Sequence, residues 1–215
     1  MVSEPAHDLE ALRVVVVTDG VQDVHATVAT LSEAHLLGAR FALVVRAYDA
    51  PLDAQCTFAR TLRDALTAQI PIVFAGPPKV ARAAGADGVH LGRHVATVAE
   101  AREVFGPGAW VSVPAHTPSD IAAAEREGAY AAFVSPVLPS PGKGVPLGFS
   151  GLLCMLRAAE VTRLRCFALG GLGQNDVGPC LGAGAHGVAV IRSVWNAPNP
   201  VEALVKFSEA AGAKR

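Results

Sequence analysis

Three stretches of this chain are built from residues that hold anions. Gly170-Gly171-Leu172-Gly173 puts adjacent glycines ahead of a helix-like segment, so its backbone can approach an anion closely and offer free N–H groups. A plain tight turn is the alternative reading of Gly170 and Gly171. Further on, Ile191-Arg192-Ser193 offers backbone N–H groups together with side-chain donors on Arg192 and Ser193. The third stretch runs from Ser135 to Gly144 and is rich in Pro, Gly and Ser, with Ser140, Gly142 and Lys143 near its tip. It reads either as a solvated loop or as a flap whose Lys143 meets a phosphate as a point charge. Arg46 closes an apolar run and shares a face with Val44 and Tyr48. A guanidinium there cannot sit unpaired in a core, so it faces an anion or pairs with Asp49 or Asp19. His90, His94 and His116 are candidate general acids or bases, or ordinary hydrogen-bonded histidines. Nearby carboxylates are few (Asp19 and Asp49), and no paired set suits a divalent cation, so no metal is expected.

The elements that must position these groups alternate along the whole chain. Strand-length apolar runs cover 13–18, 41–46, 70–74, 88–91, 110–113, 131–135, 166–169 and 187–191. Amphipathic stretches such as 56–68, 95–105, 118–127 and 200–211 lie between them. Eight strands each followed by a helical pattern predict a single (β/α)8 TIM barrel, with an open doubly wound sheet as the alternative. The steps Gly38-Ala39, Gly85-Ala86, Gly128-Ala129 and Gly184-Ala185 each end a helix and open an even-numbered strand. Their spacing of roughly 45–55 residues equals two βα units, which favours the closed barrel. Working residues of such a barrel lie at the C-terminal ends of the strands, and the corner after strands 7 and 8 is its usual phosphate site. That is where Gly170-Gly171 and Ile191-Arg192 fall. Gly178-Pro179 interrupts the expected seventh helix and predicts an irregular or displaced element there.

Composition bounds the rest. The 215 residues are 51% hydrophobic and only 17% charged, which suits one large core and argues against disorder. The whole chain reads as one domain, with residues 1–12 as a short N-terminal extension. A formal net charge of −1 with interspersed signs predicts neither a nucleic-acid face nor a membrane anchor. No apolar run reaches spanning length, and the polar first residues do not resemble a signal peptide. Cys56, Cys154, Cys166 and Cys180 form no C-x-x-C pair, so reduced thiols in a cytoplasmic protein are expected.

These residues carry a resemblance. Gly85-Ala86-Asp87-Gly88-Val89-His90-Leu91-Gly92 resembles the G-A-D-G-V-H-L-G-Q signature of the thiamine phosphate synthase/TenI superfamily. The stretch from Ser135 to Lys143 is similar to its G-P-V-F-P-T-x-T-K loop, and Pro146-Leu147-Gly148 to the P-L-G that follows. Gly170-Gly171 and the Gly187 to Ile191 run match its G-G and G-V-A-V-V segments, so the likeness extends from Val14 to Val194. The resemblance implies a thiazole-phosphate site made by Ser140, Gly142, Gly170, Gly171, Ile191 and Arg192. The diphosphate half departs from the pattern. The family's Q-L-R-E-K becomes Val44-Val45-Arg46-Ala47-Tyr48, and its magnesium and substrate positions fall on Ala75-Gly76 and Val95.

The synthases of this superfamily join a thiazole phosphate to an aminopyrimidine diphosphate with magnesium. The TenI branch instead moves a proton on a thiazole carboxylate phosphate, which needs a phosphate grip and an acid/base but no metal. The residues present lead us to expect a metal-independent tautomerase-like isomerase, with no cofactor and a small phosphorylated heterocycle as ligand. His94 is the first choice of acid/base, then His116 and His90; the branch's catalytic histidine aligns with Ser135, a poor shuttle without a base. A synthase with a rearranged diphosphate site and a non-catalytic thiazole or thiamine phosphate binder are the alternatives, and the barrel could assemble into a homo-oligomer.

Overall fold

A computed structural model describes residues 9–20, 22–92, 95–160 and 163–212. Eight parallel strands form a closed barrel in sequence order: β1 (Val14–Val17), β2 (Ala42–Val45), β3 (Ile72–Ala75), β4 (Gly88–His90), β5 (Trp110–Ala115), β6 (Ala131–Val134), β7 (Arg165–Leu169) and β8 (Gly187–Val190). β8 closes the ring on β1, with Val14, Val15 and Val16 in register with Val188, Ala189 and Val190. This is the single (β/α)8 TIM barrel that the alternation predicts. Most strands are a residue or two shorter than the apolar runs, whereas β5 continues through Pro114 to Ala115.

The period of two along each strand divides the core into two shells. Val15, Val17, Val44, Val73 and Phe133 point into the barrel, joined by Trp110 and Phe167. Val14, Val16, Leu43 and Ile72 point outward against the helices α1 (Val24–Leu36), α2 (Leu52–Ala65), α3 (Pro78–Ala83), α4 (Val98–Phe105), α5 (Pro118–Arg126), α6 (Gly148–Ala159), α7 (Val177–Gly182), α8 (Arg192–Trp195) and α9 (Pro200–Ala210). Leu9 and Leu12 pack on the inner shell, and the Tyr130 hydroxyl donates to the Leu9 carbonyl at 2.6 Å, so residues 9–12 lie across the base of the barrel.

Local chemistry sets where the helices begin. Thr97 with Glu100, and Thr117 with Asp120, form reciprocal capping boxes that start α4 and α5. The seventh helix is irregular in the way Gly178-Pro179 predicts. It is split into a 3-10 turn over Gln174–Asp176 and the six-residue α7, with Pro179 in the first turn, where a missing N–H costs nothing.

Candidate active site

The corner expected to hold a phosphate lies where β7 and β8 end. Gly170 and Gly171 follow β7 with φ of 108° and 68°, both in the left-handed region. A side chain on Gly171 would put its Cβ 2.4 Å from the Pro139 carbonyl oxygen. The loop after β6 is the reason: Val137 and Leu138 donate their amides to the carbonyls of Leu169 and Gly170, both at 2.9 Å. The two glycines therefore let that loop cross them closely. Beyond β8, Ile191 caps the short α8. The amides of Gly171, Arg192 and Ser193 find no acceptor among the described residues. They border a cavity of about 230 Å³ that also meets Ser140. Arg192 Nη2 donates to Ser140 Oγ at 3.1 Å, and the Ser193 hydroxyl donates to the Leu172 carbonyl. Free amides beside an arginine and a hydroxyl make a site for a dianionic oxyanion.

A second cavity, about 390 Å³, opens over the barrel mouth and shares Leu169 and Ile191 as walls with the first. Arg46, Tyr48, His90, His116, Ser135 and Lys143 line it. Arg46 faces this cavity, and its Nη2 sits 3.0 Å from Asp19 Oδ1, the ion pair that is one of the two roles expected of it. Its backbone is fixed by buried Thr18, whose hydroxyl accepts from the Arg46 amide at 2.8 Å and donates to its carbonyl at 2.9 Å. Lys143 is exposed and stands on a turn closed by its own amide on Ser140 O. Gly142 lies on the same turn but borders neither cavity.

The histidines differ in state. His90 stacks on Phe133 with 4.7 Å between centroids, and its Nδ1 lies 3.0 Å from the hydroxyl of buried Ser112. Burial, and then the charge of Arg46, lower its pKa to about 4. It is neutral at physiological pH and can hydrogen-bond a ligand but is a weak base. His116 is exposed at the rim, with its ring Nδ1 2.7 Å from the Ser135 carbonyl. A carbonyl only accepts, so Nδ1 carries the hydrogen and Nε2 of the neutral ring presents a lone pair. Its backbone amide donates to Asp120 Oδ2 at 2.8 Å, and the Thr117 amide to the same oxygen at 2.9 Å. Burial alone would raise the Asp120 carboxyl, but those amides outweigh it and hold the pKa below its usual value. Ser135 is buried and supplies the carbonyl that orients His116. His94 lies outside the described residues.

Residues 14–194 match the family model described as thiamine monophosphate synthase. The chain belongs to the thiamine monophosphate synthase/TenI family. It is 34% identical over 178 residues to the thiamine-phosphate synthase of Anaeromyxobacter dehalogenans, covering 83% of this chain and 80% of that protein. It is 35% identical over 143 residues to that of Salinibacter ruber, covering 66% of this chain and 63% of that protein. In fold it is similar to a thiamine phosphate pyrophosphorylase from Pyrococcus furiosus, with a TM-score of 0.76, 23% identity and coverage of 94% and 96% of the two chains.

The magnesium associated with synthases of this family finds a poor donor set here. A hard divalent cation wants several oxygen ligands, mostly carboxylate. The described lining of the mouth cavity contains no carboxylate, and Asp19 beside it is held by Arg46. Gly76 is buried at the end of β3, and Val95 presents a hydrocarbon to the cavity. No group of three or more His, Cys, Asp and Glu side chains placed to hold a metal ion occurs among the described residues. Among those residues no helix is long and apolar enough to cross a membrane.

Two groups that shape this site escape a reading of the sequence. Thr18 braces Arg46 across 28 positions of the chain, which no local pattern reveals. Asp120 anchors His116, and the Thr117-x-x-Asp120 capping signature is the available signal.

Proposed function

We propose that this barrel joins a thiazole phosphate to an aminopyrimidine diphosphate, with cationic side chains in place of a metal at the diphosphate. The observation that carries the reading is the pair of adjoining cavities, each with its own anion-binding groups. A one-substrate isomerase needs only one such grip, and the relatives named thiamine-phosphate synthase favour the transferase over the isomerase expected from the resemblance to the TenI branch.

In this reading the thiazole phosphate binds through the amides of Gly171, Arg192 and Ser193. Its ring then lies toward Leu169 and Ile191, the shared wall of the two cavities. The diphosphate of the second substrate faces Arg46 and Lys143. As the new carbon–nitrogen bond forms, the carbon–oxygen bond to the diphosphate breaks and its electron pair leaves with the diphosphate. The two cations stabilise the growing negative charge. Neutral His90 on the cavity floor offers a hydrogen bond without adding a competing charge.

The test is thiamine phosphate formation from both substrates in excess chelator. Product is expected, with Arg46→Ala lowering kcat/KM by about 10- to 100-fold, the loss of one charge-assisted contact. Absence of product both with chelator and with added magnesium would dismiss the transferase. A second reading, the metal-free thiazole tautomerase, is favoured by His116 at the rim, whose ring is oriented by the Ser135 carbonyl. Turnover of thiazole carboxylate phosphate that His116→Ala abolishes would establish it instead. Thiazole phosphate binding with neither turnover would leave a binder.

A further inference from the structure

The opposite end of the barrel carries a second concentration of positive charge that the reading above does not use. A groove of about 780 Å³ runs along the base between α6, α7 and the starts of β7 and β8. That is within the range of small-molecule sites. Arg13, Arg157, Arg163 and Arg165 all line it, and Glu10 is the one carboxylate in its lining.

The partners of these arginines leave most of the charge unmatched. Arg165 pairs with Glu10 at 2.8 Å, but Glu10 is 82% exposed, while the Arg165 guanidinium lies 4.4 Å over the Tyr130 ring. Arg13 is half-buried and has no carboxylate partner among the described residues. Its Nη1 lies 3.0 Å from His186 Nδ1 and donates to the His186 carbonyl at 2.8 Å. The other ring nitrogen, Nε2, is 3.0 Å from the Leu12 carbonyl and must carry the hydrogen. His186 is therefore a neutral acceptor that aims Arg13 without balancing its charge. Burial, then the charge of Arg13, keep its pKa near 4, so it stays neutral at physiological pH. Arg157 and Arg163 are exposed and form no ion pair among the described residues. Glu125 lies beside the groove, with its carboxylate taken up by the Arg163 and Leu164 amides at 2.6 and 3.2 Å.

A chain with a formal net charge of −1 thus gathers four guanidiniums in one groove. A half-buried guanidinium held only by neutral acceptors is costly unless an anion completes it, and planar guanidinium forks match phosphate oxygens. We propose that this basal groove is a second ligand site, separate from the mouth, that binds a small anion bearing two or more phosphate groups. Arg13 is its fixed, inner contact and Arg157 and Arg163 its outer ones.

Calorimetric titration of the whole protein with inorganic tripolyphosphate tests this, with saturating thiazole phosphate filling the corner after β7 and β8 in one arm and an Arg46→Ala, Lys143→Ala variant removing the diphosphate contacts of the mouth in another. Binding is expected to persist in both arms. The Arg157→Ala, Arg163→Ala double variant should weaken it at least tenfold, whereas Arg192→Ala at the mouth should leave it unchanged. Both basal side chains are exposed, so the double variant should keep the wild-type melting temperature. Competition by thiazole phosphate, or loss in Arg192→Ala or in the Arg46→Ala, Lys143→Ala variant, would place the anion at the mouth and overturn the proposal. An equal loss in Arg60→Ala, on the outer face of α2, would reduce it to general charge attraction, and no binding at all would also overturn it.

Discussion

His90 and His186 face opposite ends of the barrel but share one electrostatic situation. Each is held neutral by burial, with an arginine charge nearby, and each has its pKa lowered to about 4. Their unfolded value is about 6.5. Above that value both states are neutral and the packing is fully expressed. As pH falls from about 6.5 toward 4, the unfolded chain takes up protons that the folded chain refuses, so stability is lost across that window. The loss is on the order of 1.4 kcal/mol for each tenfold difference in proton affinity, and less where solvent screens the part-exposed His186 ring. Melting temperature should decline between those pH values, and a His90→Gln, His186→Gln double variant should show a flatter profile. Which histidines behave this way is not legible in the sequence. His90 stands out there as a possible acid or base, yet its state depends on Phe133 and Arg46, brought to it by other strands. His186 stands out only as the residue after a helix-ending repeat. Arg46 is better posed, because an apolar strand ending in a guanidinium leaves few options, and of the two weighed the ion pair with Asp19 is present.

At the level of elements, the junction of the β6–α6 loop with the end of β7 decides the shape of the phosphate corner. Two amides of the loop bind β7-side carbonyls, and Gly171 is the position where the chains pass closest. Gly171→Ala forces a left-handed backbone on an L-residue, which costs about 1–2 kcal/mol, and also pushes Cβ onto the Pro139 carbonyl. The expected result is a lower melting temperature with weaker thiazole phosphate binding, because the loop and the corner must shift together. A fall in stability with unchanged affinity would separate the two. The Gly-Gly pair is legible as a turn that needs glycine's backbone freedom. Its second duty toward the loop is not, since Pro139 lies far earlier in the chain. Helix 7 is legible because proline and glycine act locally, through a missing N–H and backbone freedom.

For the whole molecule, the alternating runs and the repeated Gly-Ala steps are enough to give the barrel, because each βα unit reports its own period of two or 3.6. The closing contact between the first and last strands leaves only an indirect trace. At Gly187 the two backbones come so near that an added Cβ would lie 2.1 Å from the Arg13 carbonyl oxygen. Gly187→Ala should therefore destabilise the barrel by roughly 3 kcal/mol or more, as a core overpacking with no flexible side chain to yield. Chemical denaturation would measure it, and a loss under about 1 kcal/mol would mean the seam can open without cost.

That seam also has a consequence in time. β1 is the first strand to be synthesised and β8 the last, yet they pair directly. Until Val190 has been made, Val14–Val17 has a neighbour on one side only, and the half-built sheet presents two open edges rather than none. The ring that leaves the finished barrel without an open edge thus has no partly made form that shares this protection.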